Sequence, residues 1–141
     1  LAHITDQIWQ NTMLVNLEAN WRLVRTLDPL LRRSEAGRVV FVSSGAASGK
    51  KAYWGTYAIS KAGLDALART YAAEVANTAI KVNIINPGPI ATAMRSKAYP
   101  GEDPATLPTP ESIAPMFLEL CDPDLEATGE TFNGREWLAK K

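Results

Sequence analysis

Apolar residues recur at helical spacing near the start of the chain. Between Thr5 or Asp6 and about Arg33 they fall at steps of three and four, the period of an amphipathic helix. They are Trp9, Met13, Leu17, Trp21, Val24, Leu27 and Leu31. The pattern predicts one long helix, and Pro29 should bend its last turn because proline lacks a backbone hydrogen-bond donor.

Two short runs of β-branched residues predict strands that are covered on both faces. Residues 38–43 consist of RVVFVS and residues 80–86 of IKVNIIN, compositions that are typical of parallel sheets. Between them, residues 56–77 are rich in alanine and carry a helical stripe of Leu64, Leu67, Ala68, Tyr71 and Val75. Strand, helix and strand together predict a βαβ unit, which is right-handed in nearly every case.

The last third of the chain predicts a loop, a helix and a strand. Residues 96–108 hold several prolines and little periodicity, so we expect a long loop, and such loops often cover binding sites. The sequence TPE at residues 109–111 predicts the N-cap and first turn of a helix that ends near Leu120. A short strand at about residues 130–133 completes a single domain over residues 1–141.

The composition narrows the class of protein. The chain is 46% hydrophobic and 21% charged, which suits one packed core and excludes disordered and collagen-like proteins. Fifteen basic and fifteen acidic residues give a formal charge of zero, so neither a nucleic-acid partner nor a membrane surface is expected. The single Cys121 cannot form an internal disulfide, and no apolar run approaches the ~20 residues of a membrane span. We therefore expect a cytoplasmic protein with small-molecule or protein partners.

Tyr57 and Lys61 stand four residues apart on a predicted helix. At this spacing the phenol and the ammonium share one face, and the positive charge favours the phenolate form. A phenol that ionises more readily is suited to general acid–base catalysis near neutral pH. A tyrosine and a lysine at this spacing are also common by chance. Whether the pair is interpreted as catalytic therefore depends on the surrounding residues.

Three further groups have suitable chemistry near the predicted strand ends. Ser44 follows the first strand and precedes Tyr57 by thirteen residues, so its hydroxyl can hold a carbonyl oxygen, although opening a turn is the commoner role of such a serine. Asn16 lies inside a helix, where asparagine is disfavoured without a special reason. Residues 86–92, NPGPIAT, combine a turn-forming proline, a glycine that admits a ligand closely, and the Thr92 hydroxyl.

The chain resembles the short-chain dehydrogenase/reductase family, and its bacterial oxidoreductases in particular. The resemblance rests on the spacing of these groups and extends from the VNL sequence at residues 15–17 to the TGETF sequence at residues 128–132. It implies an α/β, Rossmann-like, doubly wound parallel sheet. It also implies hydride transfer between NAD or NADP and a small alcohol or ketone substrate, in a homodimer or homotetramer.

The resemblance implies a catalytic role for each matching residue. Tyr57 would exchange a proton with the substrate oxygen, and Ser44 would hydrogen-bond to the same oxygen. Lys61 would favour the Tyr57 phenolate and contact the nicotinamide ribose. Asn16 would hold a water molecule of the proton relay.

The resemblance also implies where the cofactor and the substrate lie. The nicotinamide end would be lined by Pro87, Gly88, Ile90 and Thr92. Of these, the Ile90 backbone and the Thr92 hydroxyl would lie near the carboxamide. Trp54 and residues 96–108 would border the substrate.

One part of the family's pattern does not occur in this sequence. The family begins with a strand and a glycine-rich phosphate-binding turn, followed by a residue that selects NAD or NADP and by an Asn-Ala-Gly segment. The present sequence opens at Leu1 without an initiator methionine. We therefore expect the catalytic half of the fold without its N-terminal nucleotide-binding strands, as a truncated form of an enzyme or as a fragment that needs a partner.

Two other functions stay open at this point. An inactive fragment could act mainly in oligomer assembly through its long helices, with Trp9 and Trp21 among the candidate interface residues. The GAASGK sequence at residues 45–50 resembles a phosphate-binding loop, but three residues separate its glycines where four are required, and Lys51 replaces the Mg²⁺-binding serine or threonine. No histidine, cysteine or carboxylate cluster has metal-ligand spacing, so no metal is expected.

Overall fold

Three parallel strands form the centre of the protein, whose computed structural model describes all 141 residues, Leu1–Lys141. The strands are β1 (Arg38–Val42), β2 (Lys81–Asn86) and β3 (Thr131–Asn133). Their spatial order is β1-β2-β3, and the register aligns Phe41 with Ile84. The α/β fold and the parallel pairing expected from the strand composition are confirmed, and β1 lies at an edge of this sheet.

Helices cover both faces of the sheet. They are α1 (Asp6–Met13), α2 (Ala19–Leu31), α3 (Gly55–Glu74), α4 (Ala93–Ala98), α5 (Pro110–Leu120) and α6 (Gly134–Leu138). A π-helical segment, Leu14–Glu18, joins α1 to α2, and two 3-10 turns lie at Gly45–Ser48 and Pro104–Thr106. The first predicted helix is therefore helical throughout, but it widens for one turn around Asn16.

The loop prediction for residues 96–108 was wrong in part: residues 96–98 and 104–106 are helical, and the rest lie outside helices and strands. Thr92 caps α4, which runs to Ala98, and Asp103 caps the following 3-10 turn. Both elements are too short to show hydrophobic periodicity. The sequence pattern does not predict α6 either, for the same reason, although Asn133 caps it by accepting a hydrogen bond from the Arg135 amide.

The two faces of β2 belong to two different cores. On one face, Val82 and Ile84 pack with Leu64 of α3, and on the other face Ile85 packs with Met116 of α5. Successive strand residues point to opposite faces, so a strand between two helical layers must be apolar at consecutive positions. This requirement explains the consecutive Ile84 and Ile85, while the buried Asn83 on the second face is paired with the Ala127 oxygen and the Glu130 amide.

A partly exposed hydrogen-bond network connects α2 to α3. Tyr71 Oη donates to Asp28 Oδ1 at 2.9 Å, and Arg32 Nε donates to Asp28 Oδ2 at 2.8 Å. Burial and the hydrogen bond to Asp28 raise the pKa of Tyr71 to about 12, while the hydrogen bond from Arg32 lowers the pKa of Asp28. The network holds the N-terminal helices, and with them Asn16, against α3.

The outward faces of α1 and α2 leave apolar side chains in contact with solvent. Trp9 is 40% exposed and Trp21 is 47% exposed, and neither helix contains a buried residue. The predicted apolar stripe therefore packs only partly against α3. No helix combines the length and the apolar character needed to cross a membrane, and no three potential metal ligands are gathered together.

Candidate active site

The candidate site lies at the carboxyl edge of the sheet, where β1 and β2 end and α3 begins. Ser44 follows β1, the turn at residues 87–92 follows β2, and Tyr57 lies in the first turn of α3. The two strand ends are in contact, because the Ser43 amide donates to the Ile85 carbonyl oxygen at 2.7 Å. Ligands of open parallel sheets bind at this edge. The fold therefore brings together groups that are far apart in the sequence.

Tyr57 and Lys61 share one face of α3, as their spacing predicts. Lys61 Nζ lies 5.9 Å from the centroid of the Tyr57 ring and donates to the Val42 carbonyl oxygen at 3.0 Å. Burial lowers the pKa of the Lys61 ammonium, and the Asp65 carboxylate one turn away opposes that shift. An ammonium has three donors, so two stay available for a ligand beside the phenol.

Asn16 is linked to Tyr57 through a buried serine that sequence reasoning did not identify. Asn16 Nδ2 donates to Ser60 Oγ at 3.0 Å, and Ser60 Oγ donates to the Tyr57 carbonyl oxygen at 2.8 Å. Ser60 is fully buried. Asn16 lies at the centre of the π-helical segment, and such widened turns are frequent at functional sites. The link aligns the N-terminal helices with the first turns of α3.

Replacing Ser60 with alanine should destabilise this link. The variant leaves Asn16 Nδ2 without its partner, and we expect the free energy of unfolding to fall by about 1–2 kcal/mol. Urea denaturation measures the change. Ser48→Ala is the matched control, because Ser48 Oγ also donates to a carbonyl three residues earlier but is exposed. Equal losses in the two variants would contradict a special role of Ser60.

The Ser44 hydroxyl opens the 3-10 turn that follows β1. Ser44 Oγ accepts a hydrogen bond from the Ala46 amide at 3.2 Å and donates to no group of the protein. Ser44 and Tyr57 are not joined by a direct hydrogen bond. The hydroxyl proton of Ser44 is therefore free to bind an oxygen atom of a ligand.

The turn after β2 presents backbone rather than bulky side chains. Gly88 has a φ of +77°, which favours glycine, and its amide donates to Asn86 Oδ1 at 3.2 Å. Ile90 is buried, and its amide makes no hydrogen bond to the protein backbone. Thr92 Oγ1 accepts from the Arg95 amide at 3.1 Å and keeps its own proton free. Pro87, which precedes Gly88, directs the chain out of the strand.

An aromatic cluster lies beside Tyr57. The Trp54 ring meets Tyr57 edge-on at 5.6 Å between centroids, and the Tyr99 ring lies 5.8 Å from Trp54. Lys51 Nζ donates to Tyr99 Oη at 2.9 Å, and the Arg95 guanidinium lies 3.7 Å from the Tyr99 ring centroid. The family resemblance anticipates Trp54 and the segment that contains Tyr99. No sequence signal indicates that Lys51 meets a residue 48 positions further on.

A family profile and two curated proteins match this chain in sequence. The family profile described as short chain dehydrogenase matches residues 1–103. The Escherichia coli K12 protein named "Uncharacterized oxidoreductase YciK" is 42% identical over 136 residues, which are 96% of this chain and 54% of that protein. Human "Dehydrogenase/reductase SDR family member 4" is 30% identical over 93% of this chain and 51% of its own length. The chain thus spans about half the length of the curated relatives it matches.

Solved structures are similar in fold and in sequence. A short chain dehydrogenase from Salmonella enterica serovar Typhi superposes with a TM-score of 0.91 at 41% identity, covering 96% of this chain and 56% of that one. A short chain dehydrogenase from E. coli CFT073, complexed with NADPH, gives a TM-score of 0.90 at 40% identity with the same coverage. These values relate the chain to such proteins in sequence as well as in fold.

Proposed function

The chain belongs to the short-chain dehydrogenase/reductase family, and from that premise we propose that it carries the proton-transfer half of an NADP(H)-dependent oxidoreductase for an alcohol and ketone pair. The observation that supports this most directly is the half-buried Lys61 ammonium beside the Tyr57 ring, at the carboxyl edge of the sheet. The fold class, the family and the open polar groups around this pair all favour the same chemistry.

The groups around the site suit a nicotinamide cofactor. A carboxamide needs both donors and acceptors, and the Ile90 amide and the Thr92 hydroxyl are available on the turn after β2. Gly88 lets the backbone approach a flat ring closely, and Lys61 has donors left for a ribose hydroxyl. NADP is favoured over NAD because two similar structures, from E. coli CFT073 and Shigella flexneri, are complexed with NADPH and NADP. When bound, the nicotinamide supplies or accepts the hydride.

The protein's own residues then handle the substrate oxygen and its proton. Tyr57 donates a proton to the ketone oxygen in reduction and takes it back in oxidation, and the free hydroxyl proton of Ser44 holds the same oxygen. Lys61 stabilises the phenolate that remains after the proton leaves, and its partial burial strengthens this attraction because less water screens it.

Asn16 is the residue that we assign to proton resupply. Its Nδ2 is held by Ser60, and its backbone oxygen accepts from Asn20 Nδ2 at 2.9 Å. Its Oδ1 makes no hydrogen bond to the protein and can accept one from a water molecule. A water held there would connect the site to solvent, and the π-helical segment sets the position of the amide.

Cofactor titration tests the proposal. In the complete gene product, we expect saturable NADPH binding, followed by nicotinamide fluorescence, that is tighter than NADH binding. Thr92→Val should weaken NADPH binding about tenfold by removing one hydrogen bond.

Thr109→Val is the matched control, because both threonines cap a helix by accepting a backbone amide three residues later, at 3.1 and 3.3 Å. Each variant should lose about 1 kcal/mol of stability with its cap, but only Thr92→Val should change NADPH affinity. Equal NADPH affinities in the two variants would contradict the assignment of the Thr92 hydroxyl to the nicotinamide carboxamide. Absence of saturable binding of both cofactors would contradict the function.

A further inference from the structure

Lys51 carries a positive charge without an acidic partner at the rim of the site. Its ammonium donates to Tyr99 Oη at 2.9 Å and lies 5.2 Å from the centroid of the Trp54 ring and 5.5 Å from that of Tyr99. No carboxylate lies within salt-bridge distance of it. The hydrogen bond from Lys51 lowers the pKa of the Tyr99 phenol.

The other cation of the cluster is already neutralised. Arg95 makes two hydrogen bonds to the Glu102 carboxylate, through Nε and Nη2, and both side chains are largely shielded from solvent. Arg95 also stacks on Tyr99. The ion pair thus holds Arg95 against the Tyr99 ring, and Lys51 supplies the remaining charge of the cluster.

The aromatic rings connect this charge to the reacting group. The Trp54 ring neighbours both groups: its centroid lies 5.6 Å from that of Tyr57, in an edge-on arrangement, and 5.2 Å from Lys51 Nζ. Trp54 is half-buried and offers a flat apolar surface next to both the phenol and the ammonium. A ligand that reaches both groups must cross this surface, so the part of the ligand between them should be apolar.

We propose that Lys51 binds a carboxylate of the substrate, so that the site takes oxo acids or hydroxy acids whose two polar groups are separated by an aromatic or other apolar spacer. This inference rests on the proposed function. In reduction, the carbonyl carbon gains a hydride from NADPH and the carbonyl oxygen gains the proton of Tyr57, which gives an alcohol and NADP⁺. The carboxylate keeps its charge and serves only for binding, as a charge-assisted hydrogen bond to the two free donors of Lys51.

A pair of probe substrates isolates the charge. para-Acetylbenzoate and para-acetylbenzamide have the same ketone and the same ring, but only the first carries a carboxylate. We expect the complete gene product to reduce the acid with NADPH at a lower KM than the amide. Lys51→Gln should raise KM for the acid about tenfold, the effect of losing a charge-assisted hydrogen bond, with kcat and the KM for the amide unchanged. Lys51→Arg keeps the positive charge, so its KM for the acid should stay close to that of the unmodified protein.

Lys50→Gln is the matched control, because Lys50 is the adjacent lysine, is exposed, and makes no hydrogen bond or ion pair through its side chain. It should leave both KM values unchanged. Equal KM values for acid and amide in the unmodified protein, or equal changes for both probes in Lys51→Gln, would overturn the inference while turnover itself upheld the proposed function. Absence of turnover of both probes and of neutral ketones would instead contradict the proposed function, and the inference with it.

Discussion

Replacing Tyr57 with phenylalanine in the complete gene product should lower kcat by about 10²–10⁴-fold, the usual contribution of a positioned acid or base. The substitution removes only the hydroxyl, and the aromatic ring keeps its edge-on contact with Trp54. NADPH affinity should change little, because the groups assigned to the carboxamide lie on the turn after β2 and Lys61, assigned to the ribose, keeps its hydrogen bond to the Val42 oxygen. Steady-state turnover and fluorescence titration of the same preparation measure the two quantities separately.

Tyr53→Phe is the control for this experiment. Tyr53 is a fully exposed phenol four residues before Tyr57, and its loss should leave turnover unchanged. If Tyr57→Phe abolished NADPH binding together with turnover, the residue would be a binding or structural group. If it retained most of the turnover, the acid–base assignment would be wrong.

Replacing Gly134 with alanine should disturb both the fold and the cofactor turn. A Cβ atom at this position would lie 2.6 Å from the Pro87 carbonyl oxygen and 2.9 Å from Ile113 Cδ1. The carbonyl belongs to the turn that leads into Gly88, and Ile113 is a buried core residue of α5. Neither neighbour can give way without repacking, so we expect a loss of about 1–3 kcal/mol in the free energy of unfolding.

The same substitution should weaken NADPH binding in the complete gene product, because any shift of Pro87 moves the backbone assigned to the nicotinamide. Gly101→Ala is the matched control, since a Cβ atom there meets nothing within 4 Å. It should change neither urea denaturation nor the NADPH titration. A Gly134→Ala protein with unchanged stability would show that the turn has room to move, and unchanged affinity would separate this turn from the cofactor.

The longer elements could be predicted from the sequence because their patterns are local. The β-branched runs of β1 and β2, the alanine-rich α3 and the capped start of α5 all lie close to the predicted positions. The sequence does not predict the π-helical segment around Asn16 or the short helices α4 and α6, because a single turn of helix shows no hydrophobic periodicity. Their existence depends on caps, such as Thr92 and Asn133, and on tertiary contacts.

Some features of the candidate site could likewise be predicted from the sequence, and others could not. Helical geometry alone predicts that Tyr57 and Lys61 share a face, and the spacing to Ser44 indicates the family. The hydrogen bond from Asn16 to Ser60 joins residues 44 positions apart, and no pattern in either segment indicates it. The contact of Lys51 with Tyr99 is equally non-local. Contacts of this kind depend on how helices and turns pack together, and the sequence of a single segment does not indicate that packing.

The sequence by itself determined the fold class and the family, because these depend on local periodicity and on the spacing of a few polar groups. It also predicts which residues move a proton. Only the tertiary structure decided which groups meet at the carboxyl edge of the sheet. It leaves the Lys61 ammonium beside Tyr57 with one bond to the Val42 oxygen, the Ser44 proton free, and Lys51 above Trp54 without a carboxylate. Hydrogen bonds and uncompensated charges depend on distances of a few ångströms, and those distances are set by the packing of the whole chain.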